Sequence, residues 1–403
     1  MKVSLYTLVS PVHDKATVEK QIEQVRSALS HEGLTFDYYG SQYGSIDADD
    51  VNVFYVCTGG TEAVFLDLAE KHSHILTKKV YLLASDSSNS LAASVEILSW
   101  LQQNGYTGQI LHGSSREVAQ LIQNELQVLS ARQNLQGKRA GIIGRPSDWL
   151  IASHADDKIV KKRLGIELVS IDIQELIDAI NALPCDKELL PPIALRASDS
   201  AYWQGALRIY YALDQIRCRY HLDAFTLRCF DLLSAVHNTG CLALAIFNAL
   251  GIPAACEGDV PALLTMMIAQ ELVQMSGFQA NPSKIDTAEG EVLFAHCTAP
   301  VNMLSSYLYD THFESGIGVA IHGELSEKDA TVVKVSGNLK RWFAEDVTIS
   351  QNTYRKNLCR TQIVVKAPQT AHYLLLQPIG NHQIIVFGHH KALFDKLLLS
   401  LQD

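Results

Sequence analysis

A carboxylate at the end of an apolar strand is the first group in this sequence placed to do chemistry. In ACEGDVPALLTM, residues 255–266, Glu257 closes the short strand IPAACE, and nothing nearby in sequence balances its charge. In α/β sheets, ligands gather at the carboxyl ends of strands, and a carboxylate buried there needs a cation or hydrogen bonds to offset its lost hydration. Asp259 is a second candidate, for substrate contact, although capping the helix that Pro261 opens is a sufficient structural role for it. His296 in FAHCTAP, His312 in DTHFESG and His382 in GNHQIIVFG stand at strand ends beside Gly, Cys or Glu, with His389 and His390 close behind the last. Neutral imidazoles together with carboxylates suit Mn, Fe, Co or Zn, while each histidine taken alone also fits an ordinary core or surface role.

Two loops could complete a binding site. GRPSDWL, starting at Gly144, offers Arg145 and Ser147 to hold hydroxyl groups and Trp149 to stack on a sugar face; a plain connecting loop is the competing reading. Thr58-Gly59-Gly60-Thr61-Glu62 could turn backbone N–H groups toward a ligand, and a tight strand-to-helix turn explains it equally well. Neither is a GxGxxG fingerprint or a P-loop, so a nucleotide enzyme is not supported.

The elements that must position these residues follow an α/β pattern. Through residue 136, short apolar runs (KVSLYTL, NVFYVCT, KVYLLAS, QILHG) alternate with amphipathic segments, which predicts a parallel sheet with helices on both faces. A second such unit starts at RAGIIG, residues 139–144. It continues through a helix from about Asp199 to His221, the strand DAFTLRC, a helix from Leu232 to Leu250 and IPAACE. After EVLFAHCT the segments GIGVAIHGEL, TVVKVSG, VTISQN, TQIVVKA, YLLLQPI and QIIVFG read as antiparallel strands, with a final helix from His390 to Gln402. The fold class is therefore α/β: two Rossmann-like or flavodoxin-like parallel-sheet units, residues 1–136 and 137–290, then a mainly antiparallel β domain, residues 291–403.

Bulk composition narrows the function. With 403 residues, 47% hydrophobic and 19% charged, the chain is long enough for two or three globular domains. A formal charge of −10 disfavours a nucleic-acid partner, and the densest basic run, Lys161 to Arg163, reads as a solvated face. The first residues read as a strand rather than a signal peptide, and no apolar stretch is long enough for a membrane span, so a cytoplasmic location is expected. Cysteines 57, 185, 218, 229, 241, 256, 297 and 359 lack CxxC spacing and read as reduced core thiols.

Taken in order, these segments resemble the fucose isomerase and arabinose isomerase superfamily, three-domain metal-dependent aldose–ketose isomerases. The resemblance covers most of the chain and is carried best by residues 226–390. It implies that Glu257 in ACEGD is a metal ligand and acid/base group, that His296 in LFAHCTAP and His382 in GNHQ are metal ligands, and that the divalent ion is Mn2+. The family's second acidic ligand falls on Asn281 in GFQANPSKID, a departure, since a carboxamide can offer oxygen to a metal but cannot take a proton at ordinary pH. Asp286, Asp231 in LRCFDLL or Asp310 beside His312 could supply the missing carboxylate; Asp231, on the strand preceding the Glu257 unit, is preferred. The implied function is intramolecular oxidation–reduction of a small sugar through a cis-enediol, by a homo-oligomer. A non-catalytic sugar-binding or regulatory protein on an isomerase scaffold is the alternative that Asn281 motivates.

Overall fold

The computed structural model describes residues 2–44, 46, 51–184, 188–196 and 198–402. The chain forms two compact units, residues 1–127 and 128–403.

In the first unit, β1 (Val3–Leu8), α1 (Lys15–His31), β2 (Asp37–Gly40), β3 (Val51–Val56), α2 (Glu62–Lys71), β4 (Val80–Ala84), α3 (Ser90–Gln103) and β5 (Gly108–Leu111) alternate along the chain. The strands pair in parallel in the order β2-β1-β3-β4-β5, the flavodoxin arrangement of doubly wound sheets. Strands covered on both faces are buried throughout and largely apolar, as β1 and β4 are, and their apolar side chains pack with Phe65 and Ile97 of the helices. The boundary between the units falls within α4 (Ser115–Leu135).

The second unit opens with β6 (Arg139–Ile143), α5 (Asp157–Leu164), β7 (Glu167–Ile171), α6 (Ile173–Ala182), α7 (Trp203–Tyr220) and β8 (Ala224–Leu227). There follow α8 (Asp231–Ala235), α9 (Cys241–Ala249), β9 (Ala254–Cys256) and α10 (Val260–Val273). A parallel sheet of order β7-β6-β8-β9 results. The single helix expected over 232–250 is two helices, because the chain turns at His237, whose φ is +51°, ahead of Gly240.

β10 (Phe278–Asp286), β11 (Glu291–His296), β14 (Asp329–Val335), β15 (Trp342–Thr353), β16 (Thr361–Lys366) and β17 (Gln383–Phe387) close into an antiparallel barrel, with β12 (Leu304–Asp310) and β13 (Ala320–Leu325) as a separate hairpin. The barrel begins at Phe278, ahead of the boundary read at residue 291. One expectation for this region fails. YLLLQPI, read as a strand, lies largely in helix α11 (Pro368–Leu376). Pro368 opens that helix, and the Glu345 carboxylate on β15 accepts from the free N–H groups of Gln369 and Thr370, a cap that local sequence does not contain. The chain ends in α12 (Lys391–Leu399).

Sheet and barrel share one core, in which Phe225, Phe247 and Leu227 meet Phe278, Phe294, Val332 and Ile363. Helix α10 is buried almost all round, packing against β8 and β9 on one side and β14 and β17 on the other. A helix apolar on every face belongs in such a position. It also ties the end of β9, where Glu257 lies, to the barrel strands. Of the cysteines, Cys57, Cys229, Cys241, Cys256 and Cys297 are buried thiols and Cys218 is exposed; Cys185 lies outside the described residues. No helix among the described residues is long and apolar enough to cross a membrane.

Candidate metal centre

The site grows from the turn between β9 and α10. Glu257 has φ +65° and Gly258 φ +74°, two successive left-handed residues. For a glutamate that conformation costs of order 1–3 kcal/mol and persists only where surrounding contacts enforce it. Those contacts are present. Ser147 N–H donates to the Glu257 carbonyl, Gly258 N–H donates to Leu227, and the Gln279 side chain on β10 holds both backbone groups of Cys256. A Cβ on Gly258 would stand 2.5 Å from the Arg145 carbonyl oxygen. Gly258→Ala is therefore expected to destabilise the protein by about 2–4 kcal/mol in urea unfolding, from the left-handed backbone and overpacking together.

The turn aims Glu257 at the barrel. Its carboxylate, the imidazole of His296 at the end of β11 and that of His382 just before β17 each bring one ligand atom, all within 4.8 Å of one another, and all three residues are buried. His382 Nε2 is 3.5 Å from Glu257 Oε1. Ligands at about 2.1 Å from one ion, at octahedral to tetrahedral angles, stand roughly 3.0–3.4 Å apart, so this spacing fits a shared cation.

Second partners fix both imidazoles. His382 Nδ1–H donates to Asp259 Oδ2 at 2.9 Å, and its Nε2 is buried without a hydrogen bond. His296 Nδ1 pairs with the Thr298 hydroxyl at 2.8 Å, which frees its Nε2. A carboxylate behind a histidine that fixes its tautomer is the usual support of a metal ligand. Two imidazoles and one carboxylate, with a buried imidazole nitrogen turned to that carboxylate, make a donor set that fits Mn2+, Fe2+ or Zn2+.

Electrostatics agree with an anionic ligand between imidazoles. Burial alone would raise the Glu257 pKa, but the close contact and charge of His382, with His296 and the Trp149 N–H, bring it down to about 2. Burial and the neighbouring His382 hold His296 at about 3, so its ring is neutral. Burial opposes a charge on His382 as well, yet Asp259 and Glu257 outweigh it and raise the pKa to about 9. Behind them, Asp259 meets the Lys334 ammonium at 3.4 Å, and both side chains are wholly buried.

The other sequence candidates are placed as follows. Trp149 Nε1–H donates to Glu257 Oε2 at 2.7 Å, and its half-exposed ring stands edge-on to Phe230. Phe230 in turn meets His312, which lies within electrostatic reach of Glu257. Ser147 is buried, with its hydroxyl unpaired. Arg145 is exposed and bonded to Asp148.

Asp259, read as a substrate contact, instead turns inward: Oδ1 caps α10 through Ala262 N–H and Oδ2 holds His382. Asn281 on β10 lies opposite Ala295, next to His296, and its carbonyl oxygen accepts from Asn381 at 3.0 Å. Asp231 opens α8, in the segment that follows β8, and both its oxygens accept from Arg228 Nε. Asp310 pairs with Arg360. Asp286 is on the same strand as Asn281, roughly 17 Å further along at about 3.4 Å per residue, so it has no swing into the site. His389 and His390 belong to the start of α12. In the first unit, the 58–62 loop bonds largely to itself and to Ser10 and Ser88.

Lys334, Ser153, Thr298 and Gln279 escaped sequence reading. Only Lys334 left a signal, as a lone cation inside the apolar run TVVKV.

No protein-family model matches the chain. Among curated proteins it is similar to the sulfoquinovose isomerases of Priestia aryabhattai and Priestia megaterium, each 23% identical over 263 residues, covering 62% of this chain and 59% of the relative. It is also similar to a sulfoquinovose isomerase from Clostridium sp. strain MSTE9, 25% identical over 171 residues, covering 40% of this chain and 38% of the relative. The chain thus spans about three fifths of the length of the first two relatives, and what it shares with all three is similarity to a sugar isomerase.

Proposed function

We propose that the protein is a metal-dependent aldose–ketose isomerase of the fucose and arabinose isomerase type, acting on a small sugar. The observation that carries this reading is the convergence of Glu257, His296 and His382, with His382 Nε2 buried and turned to Glu257 Oε1. Similarity to sulfoquinovose isomerases supports it and puts sulfonated hexoses among the substrates to test.

A divalent cation, for which we take Mn2+, would be held by those three side chains and would polarise the oxygens on C1 and C2 of the open-chain sugar. Glu257 would be the carboxylate beside those carbons: one base on one face can carry a proton from C2 to C1, while the hydroxyl proton of O2 passes to O1. The Trp149 N–H keeps one of its oxygens oriented during that transfer. Neutral His312 and the unpaired Ser147 hydroxyl are the polar groups available to the sugar's own hydroxyls. Asp231, with Arg228 on both oxygens, takes no proton in this scheme.

The test is proton exchange. With Mn2+ in deuterated water, a panel of aldoses that includes sulfoquinovose is expected to yield one sugar that loses its C2 proton signal and gains a ketose. No exchange across the panel with the metal bound would sink the reading. Asn281 favours a second one, since its amide takes up no proton at ordinary pH and its oxygen is engaged by Asn381: a sugar-binding protein on this scaffold. It would show as sugar affinity in calorimetry without exchange.

A further inference from the structure

Behind the candidate metal centre lies a buried charged chain that the proposed chemistry does not use. Lys334 and Asp259 are wholly buried, with Lys334 Nζ 3.5 and 3.4 Å from the two carboxylate oxygens. Asp259 needs no lysine to cap α10, because aspartate performs that role across helix termini unaided. A buried ion pair is also a weak source of stability, since apolar side chains of similar volume often serve as well.

The partners of Asp259 point elsewhere. Oδ1 takes Ala262 N–H, and Oδ2 takes His382 Nδ1–H at 2.9 Å and the Ser153 hydroxyl at 3.3 Å. Lys334 bridges the two oxygens, so the carboxylate is held from every side. The same lysine lies under the turn that presents His382, where a Cβ on Gly380 would be 3.6 Å from its Cε and 3.9 Å from its Nζ. Strand β14 supplies Lys334 and β17 follows His382, and the two strands are hydrogen-bonded neighbours.

We propose that Lys334 is a positioning residue for His382: through Asp259 it keeps the imidazole with the Nδ1 proton turned inward and Nε2 presented beside Glu257. The proposal deepens the metal-dependent reading and rests on it for its binding consequence. Without the ammonium, the buried carboxylate loses the partner that fixes its plane and balances its charge, and the imidazole loses its fixed acceptor.

The test uses the full chain and two readouts. In Lys334→Met, which keeps the volume of the side chain, Mn2+ affinity by calorimetry is expected to fall about 10–100-fold, the range for partners behind a metal ligand, with the circular dichroism spectrum unchanged. In an Asp259→Asn background the same substitution is expected to change affinity by less than about threefold, because the two act through one path. Unchanged Mn2+ affinity in a folded Lys334→Met overturns the proposal. So does a neutral Nε2–H tautomer of His382 in the imidazole ¹⁵N spectrum of the unmodified, metal-free protein above pH 9, a result independent of whether any variant folds. If the unmodified protein takes up no Mn2+, the metal reading fails. An Nδ1–H tautomer that is lost in Lys334→Met still supports the positioning role.

Discussion

Replacing Glu257 with glutamine is expected to lower affinity for Mn2+ about 100-fold or more, while the protein stays folded. Removing a partner behind a metal ligand already costs about 10–100-fold, and Glu257 would be the only charged ligand of the set. Glutamine keeps the length of the side chain and an oxygen to accept from Trp149, so the comparison isolates the charge. His382→Ala should fall in the same class, whereas Asp231→Asn, with its partner Arg228, should shift Mn2+ affinity by less than about threefold. Calorimetry on the three variants checks the ranking. Wild-type affinity in Glu257→Gln would remove the metal centre from the proposal.

The charge has a linked effect on folding. The Glu257 pKa is depressed to about 2, so its anion stabilises the folded state above the ordinary carboxylate range, and that contribution is lost as pH falls through about 2. Glu257→Gln forfeits it at neutral pH. A modest drop in the urea midpoint is therefore part of the expected result, and full unfolding is not.

How much of this was legible in sequence depended on how local the cause was. The parallel sheets were legible because a strand covered on both faces must be largely apolar, as β1, β4 and β8 are. Glu257, His296 and His382 stood out because each ends or precedes a strand, and Glu257 has no partner for its charge nearby in sequence. What remained hidden depended on contacts between elements. Helix α11 looked like a strand because its N-terminal cap is Glu345, from a strand distant in sequence. Asp259 looked like a substrate contact because its buried partners, Lys334 and His382, come from the barrel. Asp231 passed as a free carboxylate although Arg228, which claims it, stands three residues earlier; only the bend after β8 brings them together.

Metal binding should also release a proton and strengthen steeply with pH. In the metal-free protein His382 has a pKa near 9, so at neutral pH its imidazole carries a proton on each nitrogen. The Nδ1 proton is held by Asp259, and the one on Nε2 has to leave before that nitrogen can ligate a cation. Glu257, near 2, is already anionic and His296, near 3, is already neutral, so neither contributes a proton in this range. One proton per Mn2+ is therefore displaced below pH 9. The apparent affinity should rise about tenfold for each pH unit between roughly pH 6 and 8 and level off above 9, the slope that a single linked proton imposes. Calorimetry in buffers of different ionisation enthalpy counts that proton directly. A binding enthalpy independent of the buffer at pH 7 would mean that His382 Nε2 carries no proton to give up, and the arrangement of Asp259, His382 and Glu257 described here would have to be redrawn.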